Sequence, residues 1–145
     1  MESISNWQGL LHKGNQSFKD KQMLQAEFYY KEAVDRLDQL WSEDLTNVEL
    51  LMAWICAAHN LSTLFEEQGD NDVSLQYLLL PHHRLLSIVS SCNYEDDVQL
   101  IAMRALKITF MPILSFTKKH PVCAECLKTM KEFELALAQQ EPQLH

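Results

Sequence analysis

The sequence predicts an all-α fold, first because its composition favours helices. Leu occurs 23 times, whereas Val and Ile together occur 12 times. Leu loses little rotamer freedom in a helix, and β-branched residues are better suited to strands. Three Gly and four Pro allow few of the tight turns that a many-stranded sheet needs. Apolar residues also recur at helical spacings of three and four, as at Ala26, Tyr30, Ala33 and Leu37. We therefore expect about six antiparallel helices, arranged as three stacked helical hairpins in one domain, residues 1–145.

The first hairpin is predicted over about residues 5–41. Ser5 is followed three residues later by Gln8, which has the form of a capping box at the start of a helix. The connection to the next helix is short, so the two helices should pack antiparallel. The two helices are predicted at about 5–20 and 22–41.

The second hairpin is predicted over about residues 47–91. Thr46 and Glu49 have the spacing of a capping box, and Asn71 is a plausible N-cap for the following helix. Pro81 falls inside that helix, where it removes an N–H and should kink the backbone. The two helices are predicted at about 47–68 and 72–91.

The third hairpin is predicted over about residues 94–139. Pro121 is suited to the first turn of its second helix, because the N–H that proline lacks has no partner there. Pro112 interrupts the first helix of this pair as Pro81 interrupts its own helix. The two helices are predicted at about 94–118 and 121–139.

An internal repeat links the first two hairpins to a known family. The segments GNQSFK (14–19) and AEFYYKEAV (26–34) place the small residue Gly14 twelve positions before Ala26. Tyr30 and Ala33 follow at aromatic and small positions. Small residues on facing helices permit close packing, and aromatic side chains fill the gap to the next hairpin. This pattern resembles a tetratricopeptide repeat (TPR).

A second copy of the pattern lies 48 residues further on. Ser62 and Ser74 take the places of the small residues, again twelve apart. The offset of 48 exceeds the ~34 residues of the family, so these helices should be longer. Pro81 stands where the repeat has its last alanine. The resemblance covers about half of the chain, and implies a TPR-like α-α superhelix or a small uncharacterised bacterial family of similar build.

The resemblance implies a binding groove lined by the first helix of each hairpin. Such grooves hold extended or helical peptides. Asn15 and Asn60 fall at positions that, in some family members, hydrogen-bond the backbone or terminal carboxylate of a peptide. Leu11 stands where a carboxylate clamp has lysine, which argues against capture of a C-terminal carboxylate. The expected groove residues are His12, Asn15, Phe18, Lys19, His59, Asn60, Thr63, Glu66 and Glu67.

Charge narrows the kinds of partner that we expect. The net charge of −8 repels nucleic acid and anionic membranes. From residue 37 to residue 83 there are eight acidic residues and no Lys or Arg. Glu66 and Glu67 are predicted in the last turn of a helix, where the macrodipole disfavours negative charge. A basic peptide segment is therefore the expected ligand, although such glutamates are also common on solvated surfaces.

The motif at His120, Cys123 and Cys126 suggests an alternative, a metal- or redox-responsive domain. Cys-x-x-Cys at a helix start lowers the thiol pKa and is suited to metal binding. A zinc site usually needs four ligands, and the fourth would have to come from the His82–His83 pair. No strand is predicted before the motif, unlike in a thioredoxin-like unit. Free cysteines that pack inside a helical protein are the simpler interpretation.

Catalysis has no candidate residues in this sequence. It contains no phosphate-binding glycine loop, nucleophile elbow or His-Glu-x-x-His motif. We expect no enzyme activity and no cofactor. The N-terminus lacks a secretory signal, and the apolar stretch 100–116 is about one turn too short to span a membrane. The sequence thus predicts a cytoplasmic adaptor or chaperone-like protein that binds another protein, or a homodimer that associates through the groove.

Overall fold

Residues 6–120 and residue 128 are the part of the chain that the computed structural model describes. Every regular element among them is an α-helix, which confirms the all-α prediction for these residues. The helix predicted at 121–139 lies outside them. The helices are α1 (Trp7–Lys19), α2 (Met23–Ser42), α3 (Val48–Glu67), α4 (Asn71–Ser90) and α5 (Asp96–Lys119).

The chain forms two compact units, Met1–Ile113 and Leu114–His145. In the first unit, α1 packs on α2, α2 on α3 and α3 on α4. The connections between these helices span only three to five residues, so each helix runs antiparallel to the one before it. The second unit is described over residues 114–120 and 128, and its first residues are the end of α5.

The start of each helix in the second hairpin is fixed by an Asx cap. The side chain of Asn47 accepts the backbone N–H of the third residue of α3 at 3.1 Å. Asp70 does the same for α4 at 3.4 Å. Such caps satisfy donors that the helix itself leaves unpaired. The predictions from Thr46 and Asn71 were each wrong by one residue.

Helices α1 and α3 end with the same hydrogen-bond pattern. At the end of α1, the N–H of Gln22 donates to the Ser17 carbonyl at 2.8 Å. At the end of α3, the N–H of Asp70 donates to the Phe65 carbonyl at 2.9 Å. Both are the six-to-one bond of a Schellman motif. Each residue of the second pair lies 48 positions after its counterpart, so the repeat read from the sequence extends to these two turns.

The small residues of the repeat lie where the helices approach closely. A Cβ added to Gly14 would lie 2.6 Å from ring carbons of Tyr30, so only glycine fits against this ring. Ala26, four residues before Tyr30 on α2, is fully buried. In the second hairpin the hydroxyls of Ser62 and Ser74 are 2.9 Å apart and both residues are buried. The predicted close approach is confirmed in both hairpins.

A stacked tryptophan pair joins the first hairpin to the second. Trp41 and Trp54 are buried, and their ring centroids are 5.3 Å apart. The guanidinium of Arg84 lies 5.0 Å from the Trp41 ring and 5.8 Å from the Trp54 ring. Arg84 also donates to Asp38 at 2.8 Å and to Ser42 at 3.0 Å. These tryptophans therefore serve the packing of α2, α3 and α4.

Two of the described helices, α3 and α5, are long and apolar enough to cross a membrane by length and composition. In α3, 56% of the apolar window is buried inside the protein, as in the core helix of a packed domain. In α5 the share is 39%, and the exposed side chains of this helix include several apolar ones.

Candidate peptide-binding site

The nine residues predicted to line a groove all lie on α1 and α3, and all reach the surface. None of them is fully buried, so each is sterically able to contact a ligand. Five are exposed, namely His12, Asn15, Lys19, Thr63 and Glu67. Four are half-buried, namely Phe18, His59, Asn60 and Glu66.

Tyr30, on α2, fixes the side chain of Asn15. The Tyr30 hydroxyl donates to Asn15 Oδ1 at 2.6 Å, and Tyr30 itself is only 3% exposed. Burial, and to a lesser extent the nearby Cys56, raises the pKa of Tyr30, so its hydroxyl stays a donor at neutral pH. This bond occupies the carbonyl end of the Asn15 amide. Its nitrogen, with two N–H donors, belongs to an exposed side chain.

The side chain of Asn60 is in contact with Cys56. Asn60 Nδ2 lies 4.0 Å from Cys56 Sγ, one turn along α3. Two separate contacts therefore hold the predicted asparagines: Tyr30 on α2 holds Asn15 on α1, and Cys56 holds Asn60 within α3. Tyr30 and Cys56 were not predicted as site residues, although Cys56 precedes Asn60 by one helical turn.

His59, directly before Asn60 on α3, is a neutral predicted groove residue. Burial lowers its pKa below the ordinary value, so the ring carries no charge at pH 7. Its Nε2 atom is shielded from solvent and has no hydrogen-bond partner among the residues that the structure describes. The Thr63 hydroxyl donates to the His59 carbonyl at 3.1 Å, within the helix. His59 and Thr63 therefore add shape and polarity to the site without adding charge.

The acidic end of α3 lies next to a cation of the protein itself. Glu67 is exposed at the last position of the helix. Near it in sequence, the Phe65 ring stacks on Tyr77 at 5.8 Å, and the Lys31 ammonium lies 5.9 Å from Phe65. Lys31 is held by Glu27 at 2.7 Å, which raises the pKa of Lys31. The α3 terminus thus combines acidic, aromatic and basic groups rather than acidic groups alone.

A cavity of about 390 Å³ lies elsewhere in the first unit, between two connections. Three carboxylate side chains line it, and none of the nine predicted groove residues does. Its two halves are about fifty residues apart in the chain, so no local pattern in the sequence indicates it. The lining residues are Ser42, Glu43, Asp44, Leu45, Thr46, Asn93, Tyr94, Glu95 and Val98.

The alternative metal or redox motif falls mostly outside the described residues, since Cys123 and Cys126 are not among them. His120 is half-buried, with its ring 4.6 Å from the Phe116 ring. His82, a suggested fourth ligand, is buried, and its Nδ1 lies 2.9 Å from Thr109 Oγ1. Among residues 6–120, no group of three or more His, Cys, Asp or Glu side chains is placed to hold a metal ion.

Comparison with known proteins identifies a family but no activity. No curated protein and no solved structure matches the chain. Residues 5–145 match the sequence model of a family described as "Protein of unknown function (DUF2753)". This match covers nearly the whole chain, which therefore belongs to the DUF2753 family.

Proposed function

We propose that this protein is an interaction module, an adaptor or chaperone-like protein, that binds a peptide segment of another protein across α1 and α3. In this proposal the six helices form a TPR-like superhelix whose groove holds the peptide. The observation that carries it is the hydrogen bond by which buried Tyr30 holds the exposed Asn15 amide in place.

The TPR-like arrangement is supported by equivalences at an offset of 48 residues. Gly14 and Ser62 lie at close helix contacts. Ala33 and Pro81 are both buried. A solenoid of hairpins repeats its packing in this way, because each unit contacts its neighbours through the same face.

The site is suited to a peptide backbone because its amides are held in place before binding. The Tyr30 hydroxyl fixes Asn15, so less side-chain entropy is lost when the amide donates to a peptide carbonyl. Neutral His59 adds no repulsion toward a basic segment. Exposed Glu67 supplies an acidic group for a Lys or Arg side chain of the ligand, which is why we expect a basic peptide.

The test begins with affinity capture from the source cell extract at low and high salt, followed by titration of the captured protein's basic segment as a labelled peptide. Asn15→Ala combined with Asn60→Ala should weaken binding roughly tenfold or more, at about 1 kcal/mol for each hydrogen bond. Tyr30→Phe, which keeps the ring against Gly14, should weaken it several-fold. Far-UV circular dichroism checks that each variant stays helical.

Asn93→Ala is the matched control, because Asn93 is an exposed asparagine outside the groove. Its affinity should equal that of the original protein. If the double variant binds the peptide as tightly as the Asn93 control, the groove assignment is wrong. If Glu67→Gln leaves both affinity and salt dependence unchanged, the basic character of the ligand is wrong while the groove stands.

A further inference from the structure

The two helices that line the proposed groove carry opposite charges. Helix α1 contains Lys13 and Lys19 and no acidic residue. Helix α3 contains Glu49, Glu66 and Glu67 and neither Lys nor Arg. Although the whole protein has a net charge of −8, a ligand that crosses from α1 to α3 therefore passes from a positive helix to a negative one.

Lys19 and Glu67 occupy equivalent positions at the ends of these two helices. Each is the last residue of its helix, and each is exposed. The turns that follow are also equivalent, with Lys21 and Gly69 both at positive φ. Hairpins that repeat their packing present equivalent residues on the same face of a stack. In a TPR-like stack the two opposite charges therefore lie at the same end of the groove, one on each helix.

Neither of these two charges has a counter-ion among the residues that the structure describes, because both ion pairs found there involve other side chains. Lys31, whose ammonium lies 5.9 Å from the Phe65 ring near the end of α3, is paired with Glu27. Glu67 also stands at a helix C-terminus, where the macrodipole disfavours negative charge. A basic group of a ligand at Glu67 offsets that cost, and an acidic group is the complement of Lys19.

We propose that the peptide in the groove carries both signs of charge, with an acidic side chain against Lys19 and a Lys or Arg side chain against Glu67. This inference rests on the proposed function, since it gives the charge pattern of the peptide that the groove would hold. It adds an acidic residue to the basic segment expected there, and that residue has a defined place.

The packing of the helices limits the spacing of the two charged residues in the peptide. Helices α1 and α3 both pack on α2. Packed helices lie about 8–10 Å apart, so the axes of α1 and α3 are at most about 20 Å from each other. An extended peptide covers that distance in about six residues at ~3.3 Å each. The acidic and basic residues therefore lie within about six positions of each other.

One cation and one anion in the groove also select the order of the two residues in the peptide. A uniformly acidic groove accepts basic residues in either order. Here, a peptide with the two residues exchanged brings like charges together, which is unfavourable in an interface. Reversing the direction of that peptide restores the charge pairs but turns its backbone around relative to the Asn15 amide, which Tyr30 holds in place.

Selection from phage-displayed random peptides of about twelve residues, twice the expected spacing, tests the proposal. The original protein is compared with a charge-exchanged variant that carries Lys19→Glu and Glu67→Lys and has the same net charge. The original protein should enrich an acidic and a basic residue at a constant spacing, in one order. The variant should enrich the same spacing in the opposite order. Synthetic peptides of the two orders should differ in affinity roughly threefold to tenfold for each protein, in opposite senses.

The matched control carries Glu32→Lys and Lys118→Glu, which exchanges the same charges at exposed positions outside the nine groove residues. It should enrich the same peptides as the original protein, and circular dichroism of every variant verifies folding. The proposal is overturned if the charge-exchanged variant enriches the same order as the original protein. It is also overturned if the original protein enriches no charge pair of constant spacing.

The combined Asn15→Ala and Asn60→Ala variant separates a failure of this inference from a failure of the proposed function. If that variant loses the selected peptides while the charge-exchanged variant keeps the original order, the groove stands and only the charge pattern is wrong. If the asparagine variant binds the selected peptides as tightly as the original protein, the groove assignment is wrong and this inference is overturned with it.

Discussion

The turns after α1 and α3 each place one residue in the left-handed backbone region, but they differ in backbone strain. Gly69 follows α3 with φ of 80°, and its counterpart Lys21 follows α1 with φ of 63°. Glycine has no Cβ to clash in this region, whereas other L-residues are strained by roughly 1–2 kcal/mol. The first turn therefore holds strain that the second turn avoids.

Lys21→Gly should stabilise the protein by about 1 kcal/mol, because it relieves that strain without removing a described contact. Urea unfolding followed by circular dichroism measures the change. Lys19→Gly is the matched control, since Lys19 is the last residue of α1 and has helical geometry. That variant should be destabilised by up to about 1 kcal/mol. Equal effects of the two substitutions would contradict the role of the positive φ.

At the scale of elements, the α4–α5 contact contains a buried histidine that makes stability depend on pH. His82, on α4, is 5% exposed and stacks on Phe110 of α5 with centroids 5.6 Å apart. Burial, and secondarily the neighbouring His83, lowers the pKa of His82 to about 4. In the unfolded chain the pKa is near the ordinary value of about 6.5.

The unfolding free energy should therefore fall as the pH is lowered from about 6.5 to about 4. In that window the unfolded state binds a proton at His82 that the folded state does not bind, so protonation favours unfolding. The loss from this residue is at most about 3 kcal/mol, at 1.36 kcal/mol for each pKa unit. Above pH 6.5 both states are neutral at this residue, and its contribution is constant.

A His82→Leu variant, compared with the original protein, separates the effect of His82 on stability from the effects of the carboxylates and of His59. Those groups also titrate in acid. Thr109 keeps a partner in that variant, because its hydroxyl can donate to the Leu106 carbonyl at 3.1 Å. Urea midpoints measured from pH 7 to pH 4 should fall less steeply in the variant than in the original protein. Parallel curves would show that His82 protonation does not govern the acid response.

The five described helices could be predicted to within about two residues because their signal is local and repeated. Apolar side chains every three or four positions extend through each helix, and short polar segments separate them. The caps are less certain for a physical reason. Thr46 and Asn47 are adjacent, as are Asp70 and Asn71, and each of these four residues is of a type that caps helices. Which of two neighbours caps depends on backbone geometry that the residue types do not determine.

At the scale of the whole molecule, contacts between distant segments were the part that the sequence did not reveal. The close approach at Gly14 was predictable, because glycine and an aromatic residue stand at set positions of a repeat. The hydrogen bond from Tyr30 to Asn15 was not predictable, since the two residues lie on different helices. The cavity that joins residues 42–46 to residues 93–95 likewise depends on how separate helices pack.

The distribution of charge over the whole molecule should make its stability rise with salt. Between residues 37 and 83 there is no Lys or Arg, and exposed acids concentrate in the α2–α3 and α3–α4 connections. Arg84, the first residue after this stretch, forms a salt bridge with one of its acids, Asp38. The remaining carboxylates repel one another across the folded surface more than they do in an expanded chain.

Raising NaCl from about 0.01 M to about 0.15 M shortens the screening length from about 30 Å to about 8 Å. The urea midpoint should therefore increase over this range. A Glu43→Lys, Glu67→Lys variant places two cations among these acids, so its midpoint should increase less. If both proteins respond equally to salt, the effect comes from the ions acting on apolar surface rather than from screening of the acidic connections.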